Sequence, residues 1–181
     1  YWLSQSFLTP DAAAPEVKKD WDSQYVLGPD SQEKANVPKG KVTMYTLEDS
    51  KTFPGFSRKW HLYVPANYDG KTEAALMVFQ DGGGYTNPKG AWRVPTVFDN
   101  LIAAGKMPVT IGLFIDPGFA PDKQNPTGKG KDGKPLGKSN RSFEYDSVTD
   151  KYVTFLLEEM IPLAESKGVK ISKDPKRRAI A

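Results

Sequence analysis

The chain has 181 residues, a formal net charge of +3, a single histidine and no cysteine. This length suits one domain, and the missing cysteines exclude a disulfide scaffold, a cysteine nucleophile and a thiolate metal site. The single histidine excludes a multi-histidine metal site, and the small positive charge gives no indication of nucleic-acid binding. No apolar run approaches the length of about 18 residues that a membrane span requires.

The first 40 residues are rich in turn signals. Gly28-Pro29-Asp30 and Pro38-Lys39-Gly40 are typical of turns. We therefore predict an extended N-terminal arm over residues 1–40 that lies on the domain, with a short helix at residues 12–21.

Two strands are predicted next. Residues 41–48 and 58–64 alternate between apolar and polar side chains, as strands with one buried face do. The turn signal Phe53-Pro54-Gly55 lies between them. We expect the two strands to pair antiparallel.

Strands and helices then alternate. The apolar runs 74–79 and 109–115 are typical of strands buried on both faces of a parallel sheet. Between them, the apolar periodicity of residues 94–104 predicts a helix, which Gly105 ends. Residues 178–181 predict a last strand.

The segment between the second apolar run and the last strand combines a loop and a helix. Residues 117–140 are rich in Gly, Pro and Lys without periodicity, which predicts a long loop that is functional or mobile. Ser147 and Asp150 resemble a capping box at the start of a helix over 150–167. Pro162 is expected to kink that helix.

This order predicts a mostly parallel sheet whose ligands bind at the carboxyl ends of the strands. The sequence DGGGY at residues 81–85, called the glycine loop below, directly follows the buried strand 74–79. Its glycines allow a tight turn, and its N–H groups can converge on a developing negative charge, as an oxyanion hole requires. A plain strand-to-loop turn explains the same residues. A phosphate-binding loop fits less well, because no Gly-x-Gly-x-x-Gly or Gly-Lys-Ser/Thr pattern is present.

Several strings resemble, in order and spacing, the esterase branch of α/β hydrolases that includes enterochelin esterases, esterase D and feruloyl esterases. VFQDGGGY at 78–85 resembles the oxyanion loop of this family. The other matching strings are WHLYVP at 60–65, NRSFEYD at 140–146, FLLEEMIP at 155–162 and DPKRRAIA at 174–181. The resemblance covers about residues 40–181.

The resemblance implies an α/β-hydrolase fold: a three-layer αβα arrangement with a mostly parallel sheet and an antiparallel N-terminal hairpin. Residues 41–181 would be the N-terminal half of the catalytic domain, preceded by the arm 1–40. In this family the last strand runs into the nucleophile elbow Gly-x-Ser-x-Gly, and the chain order is Ser, Asp or Glu, His. We therefore expect the sequence to stop just before the elbow, with the triad beyond residue 181.

The resemblance also assigns candidate oxyanion donors. The backbone N–H of Gly83 is the first choice, and those of Gly82 and Gly84 are the second. Asp81 is expected to hold the loop by accepting backbone N–H bonds, as Asp does in turns. His61 is expected to be structural, because it precedes the elbow.

Four side chains near the expected rim are candidates for substrate binding. Tyr85 and Trp92 could stack on a sugar or an aromatic acyl group, or they could fill the space beneath the loop. Arg141 and Glu144 could hold a hydroxylated or anionic substrate, or they could pair with each other and order the long loop. The lysines between residues 123 and 138 are expected to be solvated, with a lid or a contact to an acidic substrate as the alternative.

The expected function is that of a serine-dependent carboxylic ester hydrolase acting on a small-molecule acyl, carbohydrate-linked or siderophore-type ester. No metal, organic cofactor or nucleic-acid partner is implied, and a secreted or periplasmic location is expected from the relatives. The alternative is a degenerate, non-catalytic hydrolase-like domain that binds carbohydrate or protein. Sequence following residue 181 would distinguish the two.

Overall fold

A five-stranded sheet forms the centre of the structure, a computed structural model that describes residues 26–125, 127–131 and 133–181. The strand order is β1-β2-β4-β3-β7. The strands are β1 (Lys41–Leu47), β2 (Arg58–Val64), β3 (Ala75–Gln80), β4 (Thr110–Ile115) and β7 (Arg178–Ile180).

Strand directions confirm the predicted hairpin and the mostly parallel sheet. β1 pairs antiparallel with β2, and β2 pairs antiparallel with β4. β3 runs parallel to both of its neighbours, β4 and β7. Only β2 therefore opposes the other four strands, and the carboxyl ends of β3, β4 and β7 meet at one edge.

Helices cover both faces of the sheet and make three layers. On one face, α1 (Val94–Ala103) packs Phe98 and Ile102 against a cluster that includes Phe79 and Phe114. On the other face lie α3 (Lys151–Phe155), a π-helical turn (Leu156–Met160) and α4 (Ile161–Glu165). These bury Tyr152, Phe155, Met160 and Ala164 against the core.

The helix predicted over 150–167 is interrupted. Pro162 lies in the first turn of α4, where its missing N–H is tolerated, and the π-helical turn comes directly before it. The predicted kink therefore takes the form of a local change of helical register. The capping box predicted at Ser147 is wrong: Asp150 precedes α3 with a helical backbone and without a side-chain cap.

The region 117–140 contains more regular structure than predicted. β5 (Phe119–Pro121) and β6 (Gly137–Ser139) pair antiparallel, and Phe119 exchanges backbone hydrogen bonds of 2.8 and 3.1 Å with Ser57. A short helix, α2 (Arg141–Asp146), follows at once. Strands of three residues are too short for an alternating pattern to show in the sequence.

The described part of the arm contacts α1. The 3₁₀ turn Pro29–Ser31 lies beside it, and the Asn100 side chain donates to the carbonyls of Asp30 and Gln32, at 2.9 Å each. The helix predicted at 12–21 lies outside the described residues. Among those that are described, no helix has the length and apolarity to cross a membrane.

Candidate functional site

The candidate site lies at the carboxyl edge of the sheet, where the glycine loop leaves β3. The loop forms the 3₁₀ turn Gly82–Thr86. The Gln80 N–H donates to the Ala181 carbonyl and the Ala181 N–H donates to the Val78 carbonyl, both at 2.9 Å. The end of β7 and the start of the glycine loop are therefore adjacent.

Gly82 lets the loop turn back over β4. Its neighbour Asp81 has a left-handed backbone with φ of 53°, and Gly82 itself is buried. A Cβ on Gly82 would collide with the backbone of Phe114 and Ile115. Glycine is thus required here by the close approach of two backbones.

The N–H of Gly83, the first-choice oxyanion donor, already has an acceptor. It donates to Oδ1 of Asp116 at 2.7 Å. Gly84 is exposed, with no atom within 4 Å of the place that a Cβ would take, and its N–H makes only a 3.4 Å bond to the Asp81 carbonyl. The oxyanion role of these glycines stays a prediction, and of the two amides that of Gly83 makes the shorter hydrogen bond.

Asp116 is a residue that sequence reasoning missed. It directly follows the buried strand β4, and its own N–H donates to the Lys59 carbonyl at 3.0 Å. A polar residue at the carboxyl end of a buried parallel strand is itself a signal for a site residue, and here that strand is next to β3.

Arg141 binds the first residue of the glycine loop, Asp81. Its guanidinium donates from Nε and Nη2 to the Asp81 carboxylate at 2.9 and 2.6 Å and lies over the Tyr145 ring. The Tyr145 hydroxyl accepts the Asp81 N–H at 3.3 Å. Burial raises the pKa of Tyr145 to about 12, so the hydroxyl is neutral at ordinary pH.

Two predictions are affected by this contact. Asp81 holds the loop, but its carboxylate does so through Arg141, so the predicted role as an acceptor of backbone N–H groups is wrong. Arg141 does not pair with Glu144. About half of the Arg141 side chain is exposed, and its contact with substrate stays a prediction.

Glu144 is not available to a substrate. It is 3 % exposed, and its carboxylate accepts from both terminal nitrogens of Arg58 at 2.6 and 3.0 Å. It also accepts from the Asn140 side chain at 2.9 Å and from the Gly118 N–H at 3.2 Å. The prediction of substrate binding by Glu144 is therefore wrong, because the carboxylate is buried and already accepts hydrogen bonds from four donors within the protein.

Arg58, the ion-pair partner of Glu144, was not identified from the sequence. It lies on the same face of β2 as Trp60 and Leu62, and its guanidinium stacks 4.3 Å above the Phe155 ring. A charged residue on the apolar face of a predicted strand is the signal that could have found it.

Tyr85 and Trp92 extend an aromatic stack from the core to the surface. The ring centroids are 4.7 Å apart for Phe79 and Phe114, 5.1 Å for Phe79 and Tyr85, and 5.3 Å for Tyr85 and Trp92. Trp92 is 62 % exposed. Tyr85 thus packs between Phe79 and the open ring of Trp92. Contact of Tyr85 or Trp92 with a substrate stays a prediction.

His61 lies within β2, opposite Phe114 of β4. Burial lowers its pKa, and the nearby Asp116 charge opposes that shift only in part. The imidazole is therefore neutral at ordinary pH. Within the part of the chain that the structure describes, no group of three or more His, Cys, Asp or Glu side chains could hold a metal ion.

Comparison with known proteins gives the fold through solved structures. A CE1 ferulic acid esterase from Anaeromyces mucronatus, in complex with ferulic acid, has a TM-score of 0.56 and 18 % identity over 83 % of this chain and 51 % of its own. A mutant feruloyl esterase module from Clostridium thermocellum, complexed with sinapinate, has a TM-score of 0.50 and 15 % identity over 86 % of this chain and 48 % of its own. No protein-family model matches the chain, and no curated protein does.

These neighbours share the α/β-hydrolase fold with this chain, which confirms the predicted fold class. The chain spans about half the length of the solved structures that it matches.

Proposed function

We propose that this chain contributes the oxyanion-binding part of a serine-dependent carboxylic ester hydrolase. The observation that carries the proposal is the adjacency of the glycine loop and the end of β7 at the carboxyl edge of an α/β-hydrolase sheet. In that fold a nucleophile on the turn after such a strand faces backbone N–H groups of the loop after its neighbour.

The proposed reaction needs a serine, a histidine and an Asp or Glu that orients the histidine, and we propose that all three follow residue 181. A serine Oγ attacks the ester carbonyl carbon while a histidine takes its proton and passes it to the leaving alcohol. Water then hydrolyses the acyl-enzyme, releasing the carboxylic acid and restoring the serine. The single histidine of this chain, His61, is inside the sheet in β2, so it does not fit the role of the base.

The glycine loop supplies electrostatic stabilisation. Each attack places negative charge on the former carbonyl oxygen, and preorganised backbone N–H groups stabilise that charge without reorganising. The ion pair between Arg141 and Asp81, together with the packing of Gly82 on β4, supports a loop that is already set in place before substrate binds.

Trp92 suggests the class of ester. Its exposed ring, backed by Tyr85, offers a flat surface for a planar acyl group or a sugar ring. The solved neighbours are feruloyl esterases bound to ferulic acid and sinapinate. We therefore propose an aromatic or carbohydrate-linked acyl ester as the substrate.

The test is hydrolysis by the protein at its natural length, with 4-nitrophenyl acetate and methyl ferulate as substrates. We expect both to be cleaved, and Trp92→Ala to raise the KM for methyl ferulate by about 2- to 10-fold, the worth of one aromatic contact. Val148→Ala, at another exposed apolar side chain, is the control. If the protein hydrolyses neither ester, the proposal is wrong.

A further inference from the structure

We propose that the segment 119–139, called the β5–β6 hairpin below, binds the carboxylates of an acidic carbohydrate chain whose ester is cleaved at the glycine loop. The inference rests on the proposed ester hydrolase function and deepens it, because it names the substrate class as a polysaccharide that contains uronic acids. The lysines of this hairpin have no part in the function proposed above.

The β5–β6 hairpin carries a net charge equal to that of the whole chain. It contains five lysines and two acidic residues, a formal net charge of +3, and the 181 residues together also have a formal net charge of +3. The rest of the chain is therefore neutral in sum. The lysines are Lys123, Lys129, Lys131, Lys134 and Lys138. A local excess of one sign of charge attracts ligands of the opposite sign and speeds their association.

The lysine side chains of the hairpin are accessible to a ligand. All five are exposed, as the sequence predicted. Within the described part of the chain, no carboxylate forms an ion pair with four of them, which are Lys123, Lys129, Lys131 and Lys138. These four positive charges are thus not neutralised by ion pairs within the fold.

The base of the hairpin is connected to the candidate site. The hairpin leaves the carboxyl end of β4, and Phe119 exchanges two backbone hydrogen bonds with Ser57. Where the hairpin ends, the Asn140 N–H donates to the Gly118 carbonyl at 2.8 Å. The next residue, Arg141, binds Asp81 of the glycine loop at 2.6 Å. A ligand held by the hairpin therefore lies on the side of the sheet where the ester would be cleaved.

Backbone hydrogen bonds order the hairpin beyond its two short strands. The Asp122 N–H donates to the Leu136 carbonyl at 3.0 Å, and the Gly130 N–H donates to the Lys134 carbonyl at 2.8 Å. Lys131 therefore lies at the tip, whereas Lys138 lies in β6 near the base. The positive charges are spread along the hairpin, which fits a ligand with several negative charges in series better than a single anionic group.

The composition of the hairpin favours an acidic carbohydrate over a nucleic acid. The segment contains no Arg, Trp or Tyr, and its only aromatic residue, Phe119, is partly buried at the base. Nucleic-acid sites commonly use arginine for phosphates and bases, and aromatic rings for base stacking. The exposed ring of Trp92, which packs on Tyr85 of the glycine loop, offers a surface on which a sugar ring can stack.

The test measures binding of a fluorescently labelled oligogalacturonate to the protein at its natural length, by fluorescence anisotropy. The test variant combines Lys129→Gln, Lys131→Gln and Lys138→Gln. The control variant combines Lys71→Gln, Lys170→Gln and Lys173→Gln, which remove the same charge from exposed positions near the amino end of β3. We expect the test variant to bind at least about tenfold more weakly and the control to change by less than about twofold, with the difference shrinking as salt screens the charges. Both variants should keep kcat/KM for methyl ferulate, a neutral small ester, within about twofold, since surface substitutions of this kind have small effects.

Two further ligands test the class of the partner. A labelled neutral xylo-oligosaccharide and an oligothymidylate should both bind more weakly than the oligogalacturonate. Equal weakening in the test and control variants, or equal affinity for the neutral sugar or the oligothymidylate, would overturn the inference. Cleavage of methyl ferulate without binding of the oligogalacturonate would also overturn it and leave the proposed function standing. Hairpin-dependent binding in a protein that hydrolyses no ester would refute the proposed function and support the hairpin as a carbohydrate-binding site.

Discussion

Arg58 and Glu144 form an ion pair with both side chains fully buried beneath the candidate site. The pair joins β2 to α2, and through the Gly118 N–H and the Asn140 side chain it also fixes the chain that leaves β4 and β6. A buried ion pair costs desolvation, so its formation adds little net stability, whereas the loss of one partner leaves an uncompensated charge.

Glu144→Leu should therefore lower the free energy of unfolding by about 3–5 kcal/mol. Adding Arg58→Met should recover about 1 kcal/mol or more, because the double variant no longer buries an unpaired guanidinium. Chemical denaturation measures both values. Arg141→Met, which breaks the exposed pair with Asp81, is the control and should cost less. A double variant less stable than Glu144→Leu would contradict this account.

Gly82 and Gly84 should respond differently to the same substitution. Gly82→Ala forces a methyl group into the backbone of β4, and overpacking of this kind costs about 1–3 kcal/mol or more. Gly84→Ala meets open space and should change the free energy of unfolding by less than about 0.5 kcal/mol. Equal losses in thermal or chemical denaturation would show that the loop is not packed as described.

The residues of the site were only partly predictable. The glycine loop was found because a glycine triplet after a buried strand is a local pattern. The hydrogen-bond partners of Asp116 and Glu144 were not found from the sequence, because each partner is remote along the chain. Gly83 and Asp116 are 33 positions apart, and Arg58 and Glu144 are 86 apart. Arg141 and Glu144 lie on the same short helix and could be expected to pair, yet the fold directs one outward and the other inward.

At the scale of elements, one carboxylate connects the interrupted helix to the turn before β2. Glu159, in the π-helical turn, accepts the N–H groups of Lys51 and Thr52 at 3.0 and 2.6 Å and also the Thr52 hydroxyl. Burial opposes ionisation, but these hydrogen bonds outweigh it and hold the pKa of Glu159 below its ordinary value of 4.5.

The sign of the pH dependence follows from this depressed pKa. The contribution of ionised Glu159 is fully present above about pH 4.5 and is lost as the pH falls through the folded-state pKa. Glu159→Gln should be less stable than the parent at pH 7, and the difference should shrink below pH 4.5. Unfolding measured from pH 7 to pH 3 tests this, with the exposed neighbour variant Glu158→Gln as control. A difference that stays constant across that range would contradict it.

Elements with strong periodicity were predicted well, and weakly periodic ones were not. The four longer strands and α1 are set by runs of apolar side chains that local sequence displays. The π-helical turn and the pair β5–β6 make contacts with residues remote in sequence: Glu159 binds Thr52, and Phe119 binds Ser57. Sequence alone does not reveal such contacts.

At the scale of the whole molecule, alternation of strands and helices indicated a mostly parallel sheet, and the structure has one. The alternation does not predict which strands are neighbours in the sheet. β3 lies between β4 and β7, both of which come later in the chain, and this order brings the glycine loop beside both Asp116 and the end of β7. Local patterns carry no information on that order, and no prediction of it was made from the sequence.

The central claim is that the glycine loop serves a nucleophilic serine held on the turn after β7. The most direct measurement is labelling of the protein at its natural length with a fluorophosphonate, followed by mass spectrometry of the labelled peptide. The account predicts one equivalent of label on a serine within a Gly-x-Ser-x-Gly turn that continues β7, with loss of ester hydrolysis in proportion. Label on a serine of the described residues, or no label at all, would contradict it.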